Sequence, residues 1–186
     1  MSGHNNLSGH NNMSGHNSTA NRSPEETASV TGSIIGSVIA SGGRFAVTIA
    51  EPYRPALEGL ADFSHLIVTW WADRADELAG HGPLVAEPTP YVEGPTRAGV
   101  FATRSPLRPT PIGLSVAGII SVDDTAGEIE LGWIDALDNT PVVDIKPYFP
   151  SSDRVRDATV PSWCATWPNC LEDSSAFDWA AVLREG

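Results

Sequence analysis

The stretch IGLSVAGIISVDDTAGEIELGWIDA, residues 112–136, decides the fold. It contains two strand candidates, IGLSVAGII and EIELGWIDA, and they are joined by SVDDTAG, a turn rich in Asp and Gly. Because β-branched residues favour strands and Asp and Gly favour turns, the stretch predicts two strands connected by a short turn.

More strands of the same kind lie on both sides of this stretch. The candidates are SIIGSVIA (33–40), RFAVTIA (44–50), HLIVTWWA (65–72), AGVFATR (98–104) and VVDIK (142–146). The run 65–72 is apolar on both faces, which predicts a central strand. Helices are expected only as one turn near 57–61 and as short segments at 73–80 and 175–184. The predicted fold class is therefore all-β, a small antiparallel β-barrel with few short helices.

The first 29 residues have a different composition from the rest of the chain. They repeat a unit of Ser, Gly, His and Asn with almost nothing apolar, so residues 1–29 are expected to be a disordered tail. Three regularly spaced histidines could bind nickel or zinc, but a solubilising tail or leader is the preferred interpretation. The remaining domains are predicted as a barrel over 30–160 and a C-terminal extension over 161–186.

The charge balance limits the choice of partners. The net charge is −12, with 11 basic residues, of which only Lys146 is a lysine, against 23 acidic ones. This disfavours general binding to polyanions, although it allows a local basic patch. No apolar run reaches the ~20 residues that a bilayer span needs, so no membrane partner is expected and the predicted location is the cytoplasm. Cys164 and Cys170 are then expected as free thiols rather than a disulfide, and no metal site is predicted.

A proline-rich loop, RSPLRPTPIG (104–113), carries two arginines. Its three prolines fix the backbone and restrict the residues before them, so Arg104 and Arg108 should leave the loop in defined directions. A planar guanidinium suits a carboxylate or phosphate. Structural ion pairs with the many acidic residues of the chain are the alternative.

A second polar segment, DALDNTPVVDIKPYFP, spans residues 135–150. The strand period of two places Asp144 and Lys146 on one face and Val143 and Ile145 on the other. The first pair next to Tyr148 could form a polar pocket, or it could be a solvated strand end.

The two segments together resemble the TrmO/TsaA-like family of S-adenosylmethionine (SAM) methyltransferases. The resemblance rests on GVFATRSPLRPTPIGLSV and LGWIDALDNTPVVDIKPYFP, and SIIGSVI and LEGLADFSHLIVTWW add to it. It covers about residues 33–153. It implies a small β-barrel, a homodimer with a SAM pocket near the interface, and methylation of N6 of threonylcarbamoyladenosine at position 37 of tRNA.

Site residues follow from the resemblance, position by position. The implied cofactor-binding residues are His65, Arg104, Arg108, Pro109, Ile112, Gly113, Asp135, Lys146 and Pro147. The implied catalytic residues are Arg104, Asp135, Asp144 and Tyr148. The aromatic candidates near the pocket are Trp70, Trp71, Trp133 and Tyr148, and one of the two adjacent tryptophans must face the barrel interior.

The chain departs from the family pattern in ways that bear on the acceptor. Thr110 replaces the usual Asn of the proline-rich loop, and only ASGG stands where a longer basic arm is common. Binding tRNA would require a dimer to gather its arginines around one pocket. The arginines in question are Arg44, Arg54, Arg97, Arg104 and Arg108. The alternatives are a SAM enzyme acting on a small-molecule metabolite and a SAM-binding protein without catalysis.

Overall fold

The structure is a computed structural model that describes residues 31–75 and 83–184. The predicted tail 1–29 and most of the predicted helix 73–80 lie outside the described residues. The strands are β1 (Gly36–Ser41), β2 (Arg44–Ile49), β3 (His65–Trp71), β4 (Val85–Ala86), β5 (Ala98–Gly99), β6 (Ile112–Asp123), β7 (Glu128–Leu131) and β8 (Pro141–Pro147).

Six strands close an antiparallel barrel in the order β1-β2-β7-β6-β3-β8, and β8 pairs with β1. β4 and β5 form a separate two-stranded sheet. The predicted all-β barrel is confirmed. Closure gives every barrel strand a neighbour on each side, although β8 pairs with β1 only through Pro141 and Val142, and β6 pairs with β7 only through Ile119 and residues 121–123.

Tight turns join the consecutive strands at two places. Ser41 pairs with Arg44, and the two intervening glycines have φ of 63° and 77°, which are the left-handed conformations that a two-residue hairpin turn needs. The β6–β7 turn is held by Asp123, whose carboxylate accepts from the Ala126 amide at 2.8 Å, and Gly127 follows at φ 74°. The hairpin expected within residues 112–136 is therefore present.

The barrel interior is filled by alternate side chains of its strands. Those with 0 % exposure include Val38, Val47, Leu66, Val68, Ile129 and Val142. Each side chain of this size contributes about 1.5–3 kcal/mol when it is removed from water. The alternation fixes the register, since a slip by one residue would turn these groups to the solvent.

β3 lies between β6 and β8, and these three strands carry most of the predicted site residues. It pairs along its whole length with β6 and over most of its length with β8. Its interior residues pack in the core, and Ile67 and Trp71 on its outer face are also partly covered. The prediction of a central strand with two apolar faces is confirmed.

The helical segments are all short. The 3-10 segments are Glu51–Leu57, Leu60–Asp62, Val100–Ala102 and Ser162–Cys164, and the α-helical turns are Pro150–Asp153, Leu171–Ser174 and Trp179–Val182. The turn expected near 57–61 is divided by Gly59 at φ 82°. The helix expected over 175–184 is confined to Trp179–Val182, with Asp178 as its N-cap.

The predicted strand over 98–104 is wrong beyond its first two residues. Only Ala98 and Gly99 pair, because the partner β4 has two residues. Val100 then turns its side chain into the interior, where it is 3 % exposed, and its carbonyl accepts from the Thr103 hydroxyl at 2.9 Å. This contact favours a 3-10 turn over a continued strand.

Two further findings concern the described residues alone. No helix among them combines the length and apolarity needed to cross a bilayer. Both cysteines are free thiols, Cys164 buried and Cys170 exposed.

Candidate functional site

The outer surface of β6, β3 and β8 brings most of the predicted site residues onto one face. Strand pairing aligns its residues in rows across the three strands. In the order β6, β3, β8, the rows are Leu114–Thr69–Asp144 and Val116–Ile67–Lys146, with Ile112 opposite Trp71 at the end of β3. We call these eight residues the β3 face.

The β3 face has an apolar half and a charged half. On β6, Ile112 and Leu114 are 43 % and 47 % exposed, which is unusual for two neighbouring aliphatic positions on one strand face. On β8, the Lys146 ammonium donates to the Asp144 carboxylate. The prediction that this pair shares a face is confirmed.

The prediction for the opposite face of β8 needs a correction. Ile145 lies opposite Val68 and faces the interior as expected, but the register shifts at the next pair, where Val142 lies opposite Trp70. The fully buried residue is therefore Val142 and not Val143. A β-bulge places one extra residue on β8 and changes the alternation there.

Arg104 reaches the apolar half of this face from the proline-rich loop. Its guanidinium Nη2 donates to the Leu114 carbonyl at 2.8 Å, and its backbone amide donates to the Tyr91 hydroxyl at 3.3 Å. Leu114 is opposite Thr69, and Thr69 is opposite Asp144. Leu114, which binds Arg104, and Asp144 thus lie on either side of β3, with their backbones about 10 Å apart at ~4.8 Å per strand step.

The loop that carries the two arginines is held by its own backbone contacts. The Arg108 amide donates to the Pro106 carbonyl at 2.9 Å, and the Ile112 amide donates to the Thr110 carbonyl at 2.8 Å. Arg108 donates from Nη2 to the Val100 carbonyl at 3.3 Å. Within the described residues neither arginine pairs with a carboxylate, which disfavours the ion-pair alternative.

Gly113 has a structural reason to be glycine. It lies opposite Trp70, and a Cβ there would be 2.2 Å from the indole ring. The ring packs against the core and its Nε1 donates to the Ser115 hydroxyl at 3.0 Å. Trp70 is therefore the tryptophan that faces the interior, and Trp71 faces outward.

Asp135 and Trp133 lie in the loop between β7 and β8, and both are exposed. The same loop is tied to β1, because the Asp138 carboxylate accepts from the Ala40 amide at 2.9 Å. Arg74, which follows β3, donates to the Asp138 carbonyl at 2.9 Å. The loop with Asp135 thus begins near His65, where the Gly132 amide donates to the Gly118 carbonyl at 3.0 Å, and reaches the end of β3 at Asp138.

His65 and Tyr148 lie at the opposite end of β3. The Tyr148 amide donates to the His65 carbonyl at 3.0 Å, and the two ring centroids are 6.4 Å apart. The His65 ring is fixed on its other side by the Ser64 hydroxyl, 2.9 Å from Nδ1. Pro147 is adjacent, opposite Leu66.

The predicted site residues therefore form two groups within one chain. At the Trp71 end lie Arg104, Arg108, Pro109, Ile112 and Gly113, with the Asp144–Lys146 pair between the ends and Asp135 in the loop that runs from one end to the other. At the His65 end lie His65, Pro147 and Tyr148. The six steps of β3 separate the ends by about 20 Å at ~3.3 Å per residue, so no single small ligand contacts both.

Two residues of this region, Thr69 and Tyr91, were not among the site residues predicted from the sequence. Thr69 is the centre of the row that links Arg104 to Asp144, and Tyr91 supports the Arg104 backbone. The period of two along HLIVTWW would have placed Thr69 on the outer face. No local signal connects Tyr91 to a residue thirteen positions later in the chain.

The arginines that tRNA binding would require do not gather within one chain. Arg44 on β2 pairs with Glu128 on β7, and in the barrel order β2 lies opposite β3. Arg97 pairs with Glu87 at 3.8 Å next to the small sheet. Arg104 and Arg108 remain near the β3 face.

The described residues include no group of three or more metal-binding side chains. The exposed Cys170 thiol donates to the Asp173 carboxylate at 3.1 Å, and this hydrogen bond raises the pKa of the thiol above its ordinary value. A raised pKa keeps the thiol protonated and makes it a poor nucleophile.

The fold defines a class: a small closed antiparallel β-barrel protein, here with exposed aliphatic and charged side chains side by side on its outer wall. Comparison with known proteins then gives the family. The family model described as the tRNA-methyltransferase O N-terminal domain matches residues 29–154. The chain belongs to this family.

Individual relatives agree with the family match. An S-adenosyl-L-methionine-binding protein of Archaeoglobus fulgidus is 38% identical over 120 residues, which are 61% of this chain and 78% of that protein. A tRNA (adenine(37)-N6)-methyltransferase of Escherichia coli is 40% identical over 115 residues, 60% of this chain and 48% of that enzyme. The chain thus matches about half of the length of the E. coli enzyme.

A solved structure agrees as well. The crystal structure of TrmO from P. aeruginosa superimposes with a TM-score of 0.56 at 30% sequence identity, over 74% of this chain and 63% of that one. The barrel of the present structure is therefore the fold of that enzyme's matched part.

Proposed function

We propose that this protein is a SAM-dependent methyltransferase that methylates N6 of adenine 37 in tRNA, with the threonylcarbamoyl form of that adenosine as the acceptor. The observation that carries the proposal is the β3 face, where Arg104 and the Asp144–Lys146 pair border exposed aliphatic side chains. The family and the activities printed for its relatives support the same assignment. Residues 30–160 form the SAM-binding domain in this proposal, and 161–186 form a C-terminal extension.

The residues of the β3 face fit the chemistry of SAM. The cofactor has an apolar nucleoside, a sulfonium cation and an amino acid end, and it supplies the methyl group. Ile112 and Leu114 offer apolar contact for the nucleoside. Arg104 uses one guanidinium N–H on the Leu114 carbonyl and keeps others for an anion such as a carboxylate. The Asp144 carboxylate suits a cation.

A homodimer completes this site. The two groups of predicted residues lie at opposite ends of β3, about 20 Å apart. A two-fold axis crossing β3 would set the Trp71 end of one chain against the His65 end of its partner, because such an interface repeats the same contacts twice. The exposed Ile112 and Leu114 would be buried in that contact. His65 and Tyr148 would then serve the site of the other chain.

The acceptor requires removal of a proton from a weakly acidic nitrogen. Asp135 and Asp144 are carboxylates that could accept this proton, and Tyr148 could do so through water. Methyl transfer from a sulfonium is an in-line displacement, so the rest of the rate acceleration comes from holding the methyl donor and the acceptor nitrogen in line. Arg104 and the backbone of its rigid loop provide that positioning.

A small-molecule acceptor is the second candidate, and one observation favours it. Within the described residues, Arg44 and Arg97 are engaged by Glu128 and Glu87, away from the β3 face. The turn between β1 and β2 consists of Gly42 and Gly43 and provides no basic arm. A small acceptor needs no surface that neutralises several phosphates.

One assay tests the proposal. Purified protein is incubated with SAM and with tRNA from a strain that lacks this methylation, and the nucleosides are measured by mass spectrometry. We expect a methylated nucleoside at position 37, and an affinity for tRNA that falls by about 0.7–0.9 log unit per log unit of salt for each phosphate contacted. Bound SAM without tRNA methylation would favour the small acceptor, and absence of SAM binding would refute the methyltransferase.

A further inference from the structure

The C-terminal segment beyond the family match packs against residues 89–93. The Val92 amide donates to the Val182 carbonyl at 2.9 Å, and the Arg184 amide donates to the Pro90 carbonyl at 2.8 Å. The Arg184 guanidinium donates to the carbonyls of Thr89 and Val92, each at 3.1 Å. These contacts fix the end of the described chain next to Tyr91.

Aromatic rings cluster where the two segments meet. Tyr91 stacks on Trp163 with centroids 4.8 Å apart and an interplanar angle of 26°. Trp167 stands edge-on to both, at 5.7 Å from Tyr91 and 5.5 Å from Trp163. Trp179 continues the series at 5.4 Å from Trp167, and Phe177 lies 4.9 Å from Trp179. We call these five residues the aromatic cluster.

The aromatic cluster leaves an open cavity of about 250 Å³. Tyr91, Trp163, Trp167 and Phe177 line it, and none of these rings is fully buried, so ring faces remain accessible. The space opens to the surface, so a small cation could enter it without any movement of the chain.

The charged residues of the cavity are acidic. Glu93 and Asp178 line it, both are exposed, and no Lys, Arg or His is among its lining residues in the described part of the chain. Indole and phenol faces attract cations, and methylated ammonium groups are the cations that aromatic cages bind best, since they are weakly hydrated. Carboxylates next to the rings strengthen that preference.

We propose that the aromatic cluster, with Glu93 and Asp178, is a binding site for a quaternary or multiply methylated ammonium group. Nucleobase stacking on the same rings is the competing use. It is disfavoured because the charged residues that line the cavity in the described part of the chain, Glu93 and Asp178, are both negative and would repel the phosphates of a strand. The cavity and the β3 face have no lining residue in common, although the Tyr91 hydroxyl accepts from the Arg104 amide at 3.3 Å, and the proposal does not rest on the proposed methyltransferase activity.

Calorimetric or NMR titration of the full chain with two probes tests the proposal. One probe is choline, and the other is its uncharged isostere, in which a tert-butyl group replaces the trimethylammonium group. Both probes have the same shape, so the difference between them measures the contribution of the charge. We expect saturable choline binding and binding of the isostere that is weaker by about tenfold or more. Equal affinity for the two probes would overturn the proposal, and so would absence of choline binding to the folded protein.

Variants locate the site. Asp178→Asn keeps the helix N-cap while it removes the charge, so we expect the fold to remain and choline binding to weaken several-fold. Glu93→Gln should act in the same direction. Asp173→Asn removes an exposed charge that does not line the cavity, and it should leave choline binding unchanged. Equal effects of Asp173→Asn and Asp178→Asn, or oligonucleotide binding that choline does not displace, would refute the assignment.

Discussion

Gly113→Ala should destabilise the barrel because of the ring that covers Gly113. The added Cβ would be 2.2 Å from two atoms of the Trp70 indole, a distance that no side chain tolerates without movement. Trp70 cannot move freely, since its ring packs against the core and donates to Ser115 at 3.0 Å.

The magnitude follows from two effects. Overpacking a site of this kind costs about 1–3 kcal/mol. If the indole shifts, the Ser115 hydroxyl, which is 4 % exposed, loses its partner, and such a group costs about 1–3 kcal/mol when left unpaired. Since the indole can relieve part of the overlap by moving, we expect a total near 3 kcal/mol. For a chain of this length that lowers the melting temperature by roughly 6–12 °C.

Urea and thermal unfolding, followed by circular dichroism, measure the effect against a matched control. Gly118 is on the same strand, but a Cβ there would have its nearest contact at 3.7 Å, with the end of the His65 side chain. Gly118→Ala should therefore be neutral or stabilise by up to about 1 kcal/mol. In a Trp70→Leu background the cost of Gly113→Ala should largely disappear, which gives a coupling above ~1 kcal/mol.

Two results would refute this reasoning. One is a Gly113→Ala protein that unfolds like Gly118→Ala. The other is a cost that does not change when Trp70 is replaced. If Gly113→Ala instead lowered SAM binding at unchanged stability, the glycine would belong to the cofactor site, as the resemblance implies, and not to the packing of Trp70.

Three further predictions concern the site, the C-terminal segment and the tail. Arg104→Ala should lower SAM binding or methyl transfer by about tenfold or more, at a stability cost of about 0–1 kcal/mol. The control Arg44→Ala, on the opposite wall of the barrel, should have only the small stability cost. Equal losses of activity in the two variants would contradict the assignment of Arg104 to the site. Asp173→Ala removes the carboxylate whose hydrogen bond raises the pKa of Cys170, so the thiolate forms at lower pH and alkylation of Cys170 near pH 8, followed by mass spectrometry, should be faster than in the unchanged protein. An unchanged rate would show that the hydrogen bond is not made in solution. Deletion of residues 1–29 should leave the melting temperature and SAM binding unchanged, because the repeat has no apolar face; an earlier melting transition would contradict this.

Much of the fold follows from local sequence. The strands β1, β2, β3, β6, β7 and β8 were all predicted from the sequence. Their side chains on one face pack in the core, which gives a recognisable apolar pattern, and turn-forming residues mark where the strands end. The strand period of two correctly placed Asp144 and Lys146 on one face of β8. The two arginines on a proline-fixed loop were also evident, since proline restricts the backbone whatever the surroundings.

The rest depends on contacts between residues far apart in the chain. The strand predicted over 98–104 ends after two residues because its partner β4 is short, and no local pattern reports a partner's length. The bulge on β8 and the need for glycine opposite Trp70 arise from pairing with β3. The aromatic cluster forms only because the C-terminal segment returns to Tyr91. Local sequence therefore predicts the strands and turns one at a time, whereas the pairing of strands fixes which residues are neighbours, because closing a barrel brings together strands that chain order separates.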